Sequence, residues 1–326
     1  MPALTASARA DTLSVGIAGS SLIAYLPFAL AQRLGYFEDA GLTVTVSEFQ
    51  GGSKSLEALV GGSVDAVIGA YENTIFMQAK GISLTAVFLS QQRFGFVFGL
   101  KPALYSKYHS PKDLKGLKIG VSAPGSAIAN AVELLLAKDG LKLSDVSIIG
   151  VGNGMGAVGA MENGSLDAIM HSDPVISRLI RDHAIVPVID TREEDGQIAL
   201  YGGPVASSGA YVKTEFIKKR RATVQRFVDG LVRALAWLHH ATPDEVVATV
   251  PPEFYGNDKD SYRESVVANM HTFTLDGRVS LTNAENSLKV MANSGRLAGA
   301  GASIDVKRTF DDSFANAANR KLTGAP

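Results

Sequence analysis

The chain contains no cysteine. That excludes disulfides, thiolate nucleophiles and cysteine-ligated metals, and it fits a reducing or an oxidising compartment equally. No run of about 18 apolar residues occurs, so no segment reads as a membrane-spanning helix. There is no block of like charge either, and the formal net charge is −1 over 326 residues. Phosphate backbones require a basic surface, so nucleic acid is not an expected partner. Catalytic signatures are also missing: there is no G-x-S-x-G, no P-loop lysine, and no glutamate at zincin spacing beside His239-His240. The sequence calls for no metal and no cofactor.

What is present is the composition of a folded protein. Hydrophobic residues make up 46% and charged residues 19%, which reads as globular and not disordered. The length suits two domains of ordinary size. At the N-terminus Ala8-Arg9-Ala10 fits the A-x-A pattern ahead of a signal-peptidase cut, with Asp11 opening the mature chain. The charged and apolar regions of a signal peptide are missing, so residues 1–10 read as a signal-peptide remnant or as a flexible Ala/Ser leader.

An internal repeat decides the architecture. GSVDAVIGAYENTI begins at Gly62, and GSLDAIMHSDPVIS begins at Gly164. Upstream, the β-branched run at Leu13 is matched by a similar run at Leu117. Each run ends in a small polar turn and is followed by a helical stretch, from Pro27 and from Ala127. New strands at Leu42 and Val146 lead to Gly-rich turns, Gly51-Gly-Ser-Lys and Gly152-Asn-Gly-Met-Gly, and then to the quoted segments. Each copy thus reads strand-helix-strand-helix-strand, which favours a parallel sheet with crossover helices. Ligands in such sheets sit beyond the carboxyl ends of the strands. Two copies provide two rims, with Asp65 and Asp167 as shared scaffold and the changed endings facing a ligand between them. The strand pair from Leu84 to Leu100 and a return strand before Lys213 are the expected crossings. Helices are expected over 215–240, 259–270, 283–294 and 306–321, packed back on the first lobe.

Three segments carry a resemblance. Gly35-Tyr-Phe-Glu-Asp-Ala-Gly-Leu-Thr-Val, Ala58-Leu-Val-Gly-Gly-Ser-Val-Asp-Ala and Leu114-Lys-Gly-Leu-Lys-Ile-Gly-Val resemble the periplasmic substrate-binding proteins of the nitrate/sulfonate/taurine class of ABC importers. The likeness covers about residues 12–240. It implies an α/β fold of the type II periplasmic-binding-protein kind: two doubly wound lobes with mainly parallel central sheets, joined by a two-strand hinge. Lobe I would take residues 11–95 plus 208–326, and lobe II residues 96–207. The implied role is capture of a small molecule, without chemistry, by an exported monomer that delivers it to an ABC permease in the inner membrane. Relatives that bind thiamine-type pyrimidines or aromatic carboxylates leave the ligand open. Some proteins of this fold are enzymes of pyrimidine or quinone biosynthesis; the cysteine cluster of the pyrimidine synthases is absent.

The candidate site follows the rims. Ser20, Ser21 and Tyr25 follow the first strand, where small hydroxyls and free amides suit an anion, though capping chemistry would explain the serines. Gly52 allows close approach to the backbone, and Ser53 suits an N-cap or a contact. Tyr71, Glu72 and Asn73 end the third strand with an aromatic wall, an acceptor for an amine or hydroxyl, and an amide. Ser122, Pro124, Gly125 and Ser126 open a helix, and the resemblance implies that this loop holds the anionic end of the ligand. Asn153 lies in the next rim loop, and His171 and Asp173 end the matching strand. Asp173 is also placed to cap a helix that has Pro174 at its first position. Arg93, just after the crossing strand, can meet a carboxylate or sulfonate bidentately, or remain a surface arginine.

A different function class is also written in the chain. Gly154-Met-Gly156-Ala-Val-Gly159 matches G-x-G-x-x-G, with Asp173 nineteen residues beyond Gly154 where a dinucleotide fold keeps its ribose-binding acid. Against a nicotinamide enzyme, the following helix is short and the motif sits on the second strand of its lobe.

Overall fold

A computed structural model of the chain describes residues 11–297 and 303–324. The leader expected over residues 1–10 lies outside the described residues.

Among the described residues, ten strands form two five-stranded sheets. The first contains β1 (Asp11–Ile17), β2 (Leu42–Glu48), β3 (Ala66–Ala70), β4 (Leu84–Leu89) and β10 (Ser208–Lys213), in the order β2-β1-β3-β10-β4. The second contains β5 (Phe96–Leu100), β6 (Lys118–Val121), β7 (Ser147–Gly150), β8 (Ala168–Ser172) and β9 (Val186–Asp190), in the order β7-β6-β8-β5-β9. β1 pairs parallel with β2 and β3, and β6 with β7 and β8. One antiparallel strand enters each sheet beside the third: β10 against β3, and β5 against β8. The two orders are one pattern with its donated strand exchanged. The expected α/β class with mainly parallel sheets is what the chain adopts.

The repeated Gly-Ser-aliphatic-Asp motif pins each sheet at the same point. Asp65 Oδ2 accepts from Ser14 N at 2.9 Å, and Asp167 Oδ2 accepts from Lys118 N at 2.9 Å. Each aspartate ties the turn before a third strand to the first strand of its own sheet. An inverse requirement governs Gly62 and Gly164, which take φ of 84° and 86° to end the preceding helices.

β4 and β5 do not pair with each other: β4 is an edge of the first sheet, and β5 lies inside the second. The chain crosses over Ser90–Gly95 and returns before β10, and the crossings bond to one another through Ser90 N and Gln91 N, which donate to Ser208 O at 2.8 and 3.1 Å. The first sheet packs under the long helix Thr214–His240, whose Gly230 permits the Phe37 ring to approach; a Cβ there would lie 2.5 Å from the ring. Phe37 stacks on Phe227 at 5.4 Å and meets Phe28 at 5.7 Å, the aromatic centre of that lobe's core.

The C-terminal segment departs from expectation in two ways. It is not confined to the first lobe: Asp258 pairs with Arg178 at 2.6 Å and Arg181 at 3.0 Å, both on the helix Val175–Arg181 of the second lobe. Nor is it without strand partners, though it is mainly helical as expected. Phe273 bridges Gln91, and Phe310 bridges Ala86. The helix expected over 306–321 begins only at Ser313, because Asp305 caps a single turn through Lys307 N before Phe310 extends beside β4.

Candidate functional site

Two helix starts face each other across the seam between the lobes. One opens Gly52–Gly61 after β2; the other opens Ala127–Ala137 after β6. The first amides of a helix have no intrahelical acceptor, and Gly52, Ser53, Ala127 and Ile128 find no backbone carbonyl among the described residues. Ser126 caps the second helix, accepting from Ala129 N at 3.2 Å and from the Ser122 hydroxyl at 3.0 Å. The first helix has no side-chain cap. Both positive dipole ends point at the space between them.

That space is a narrow cavity, with about 50 Å³ open to the centres of water-sized spheres. From the first lobe Tyr25, Gly52, Ser53 and Asn73 line it; from the second come Ser122, Gly125, Ser126 and Asn153. Its floor is made by the crossing strands and their neighbours, through Phe94, Phe96, Ser172 and Ser208. Phe94 stacks on Phe96 with centroids 4.7 Å apart, and Tyr201 lies behind at 5.6 Å. Burial pushes the Tyr25 phenol above its ordinary range, so it stays a neutral donor. Among the described residues, none of the lining side chains is charged.

The lobes touch at the rims. Asn153 donates its amide to Ala18 O, Ser53 Oγ donates to Pro124 O at 3.4 Å, and Asn130 Nδ2 donates to Glu72 Oε1 at 2.6 Å. Gly51, at φ 117°, sits so close to the opposite rim that a Cβ would lie 2.7 Å from Ala123 Cβ. Few loops tolerate such contact without glycine. The seam is closed over the cavity.

Other residues predicted for the site are elsewhere. Ser20 offers its amide to Glu48 at 3.3 Å, and Ser21 lies in an outer groove beside Gly154 and Met155. Tyr71 is buried, its hydroxyl 2.5 Å from Thr309 Oγ1. Glu72 stands just behind the wall, accepting from Arg296 at 3.0 Å as well as from Asn130. Arg93 reaches Glu194 at 3.7 Å and does not line the cavity. Pro124 meets the first lobe through its carbonyl, which accepts from Ser53.

His171 and Asp173 are interior. The imidazole is fully buried, with Nε2 2.9 Å from Gly152 O and Nδ1 3.2 Å from Ser172 O; burial lowers its pKa and keeps it neutral. Asp173 caps the helix at Ser177 N (2.8 Å) and also accepts from Arg192 (3.0 Å) and Asn269 (2.6 Å). Burial works against the Arg192 charge, but the bonds to Asp190 and Asp173 outweigh it and raise the pKa. The acid that a dinucleotide site would need is thereby enclosed. The Gly154 turn opens the eight-residue helix Met155–Glu162 beside the outer groove, away from the cavity.

The floor residues Phe94, Phe96, Ser172 and Ser208 were not singled out by the sequence. Their signal was available, since each flanks an end of β5, β8 or β10, but only the sheet order turns those ends toward the cavity.

The chain matches the NMT1-like family over residues 8–250. It belongs to that family. A solved protein from Bordetella bronchiseptica RB50 is 36% identical to this NMT1-like protein, covering 96% of this chain and 98% of its own, with a TM-score of 0.91. A Bacillus subtilis (strain 168) protein named for binding aliphatic sulfonates is 29% identical over 215 residues, which cover 65% of this chain and 61% of that protein, under two thirds of its length. The alkanesulfonate-binding protein SsuA from Xanthomonas axonopodis pv. citri, solved with MOPS bound, shares the fold at 20% identity and a TM-score of 0.69, over 89% of this chain and 96% of its own. The fold implied by the sequence resemblance is the fold of the solved alkanesulfonate-binding protein.

Proposed function

We propose that this NMT1-like protein is the extracytoplasmic solute-binding component of an ABC importer and captures a small organic anion, a sulfonate or carboxylate with an apolar body. One observation carries the reading: among the described residues, two helix starts, one from each lobe, aim amides without backbone acceptors into a cavity that no charged side chain lines. Neutral donors can hold an anion there, and the Phe94, Phe96 and Tyr25 rings suit an apolar or aromatic remainder. Glu72, which on sequence grounds was a partner for a ligand amine, is paired instead with Arg296 and Asn130. An anion without an ammonium group therefore fits better than a taurine-like zwitterion. An aromatic acid is the second reading, favoured by the stacked Phe94-Phe96 floor.

A ligand that bridges both rims stabilises the closed seam by its differential affinity for it, and this closed form is what a monomer would present to the permease. Thermal-shift and calorimetric titrations with alkanesulfonates, aryl carboxylates, taurine, nitrate, thiamine pyrimidines and NAD test this. A ligand at 1,000 times its Kd adds about 4 kcal/mol, a plain rise in Tm. The expected ranking places apolar sulfonates or aryl carboxylates first, and Ser126→Ala should weaken the best of them about tenfold, the loss of one hydroxyl contact and a helix cap. A response to NAD alone would overturn the reading.

A further inference from the structure

Glu72 stands one residue from the cavity-lining Asn73, in the first turn of the helix Glu72–Ala79. Its charge reaches Tyr201 and Tyr211, helping to raise both phenols, and Tyr201 packs directly behind the floor residue Phe94. A bare carboxylate at that depth would repel an anionic solute and attract an ammonium group. It is not bare. Arg296, 224 residues along the chain, places NH1 3.0 Å from Glu72 Oε1, and only 13% and 12% of the two side chains is exposed. The guanidinium also lies over the Phe76 ring, 5.4 Å from its centroid. From the other lobe, Asn130 donates to the same Glu72 oxygen at 2.6 Å.

We propose that Arg296 sets the charge class of the solute: by neutralising Glu72 it makes the cavity select organic anions over zwitterions that carry an amine. Arg296 does not line the cavity, so it acts through Glu72 as a positioning residue and not as a contact. The inference rests on the anion reading of the cavity and adds the group that decides which anions enter. Two unit charges about 10 Å apart through an effective dielectric near 20 change an affinity by roughly tenfold, enough to reorder two solutes of the same size.

The test is isothermal titration of the full chain with propanesulfonate and with its amino counterpart, 3-aminopropanesulfonate. Wild-type protein should prefer propanesulfonate. Arg296→Met should lose roughly tenfold for propanesulfonate while holding or gaining affinity for the amino compound. Glu72→Gln added to Arg296→Met should restore propanesulfonate, a rescue that a purely structural arginine would not permit. Glu72→Gln alone should shift the ratio the other way, and it answers the question even if Arg296→Met fails to fold. An unchanged ratio in Arg296→Met, or in Glu72→Gln, overturns the inference while leaving the anion reading standing. Wild-type protein that takes up neither compound nor any other anion overturns both.

Discussion

Tyr71 and Asp173 occupy the same place in the two lobes, each the first residue beyond the third strand of its parallel run, β3 or β8. Both turn inward to the C-terminal segment: Tyr71 to Thr309, Asp173 to Asn269. The first lobe makes that tie with one neutral hydroxyl pair. The second makes it with a buried carboxylate that also holds Arg192 and caps a helix. Equivalent positions thus have a shared role and very different sensitivity, since removing one partner of a buried ion pair leaves a charge stranded, whereas removing one neutral hydroxyl does not.

The comparison can be broken at three depths. Asp173→Ala should have the largest effect, about 3 kcal/mol lost in urea unfolding, at the low end for buried pairs because Arg192 keeps Asp190. Tyr71→Phe should lose only about 1 kcal/mol. Equal losses would show that the two ties are energetically alike after all.

A second difference is titratable. His171 on β8 corresponds to Gly69 on β3, so the second lobe alone carries an ionisable group at this position. The folded imidazole has its pKa lowered from 6.5, because burial disfavours the cation. Below about pH 6.5 the unfolded chain binds a proton that the folded chain refuses, and stability falls as pH falls, by up to about 1.4 kcal/mol per pH unit. His171→Gln should flatten the profile below about pH 6.5. An unchanged slope in the variant would place the acid sensitivity elsewhere.

The smallest contrast lies in the repeated aspartates. Asp65 Oδ2 also accepts from the Ser14 hydroxyl at 2.7 Å, and Ser14 Oγ accepts from Asp65 N at 3.0 Å. Asp167 has no such reciprocal hydroxyl, because Lys118 stands where Ser14 does. Asp65→Asn should therefore lose about 1 kcal/mol more than Asp167→Asn in the same unfolding assay.

Much of this was legible beforehand for a physical reason. Strand periodicity and turn glycines are local signals, and duplication let each lobe corroborate the other, so the sheets and the rims at Gly52, Ser53, Ser122 and Asn153 emerged together. The interior was not legible. Local pattern places Asp173 and His171 at the carboxyl end of a strand, where an exposed pair would face a ligand; only packing shows that Arg192 and Asn269 enclose the first and backbone carbonyls the second. Glu72 is the same case at long range. Nothing near it in sequence announces Arg296. Phe94 and Phe96 escaped because the run containing them reads as a crossing strand, and a crossing strand becomes a floor only once both sheets are assembled around it.

The exchanged strand has a consequence for how the chain matures. All five strands of the second sheet lie in one uninterrupted stretch, Phe96 to Asp190, whereas the first sheet has a gap between β3 and β4 until β10, at Ser208–Lys213, is available. A chain emerging from its N-terminus therefore completes its later lobe before its earlier one, and the earlier one waits as an open template with two unpaired strand edges. Such edges are where a chain sticks to its neighbours, so while residues 89 to 208 emerge the first sheet stays open to pairing with another chain.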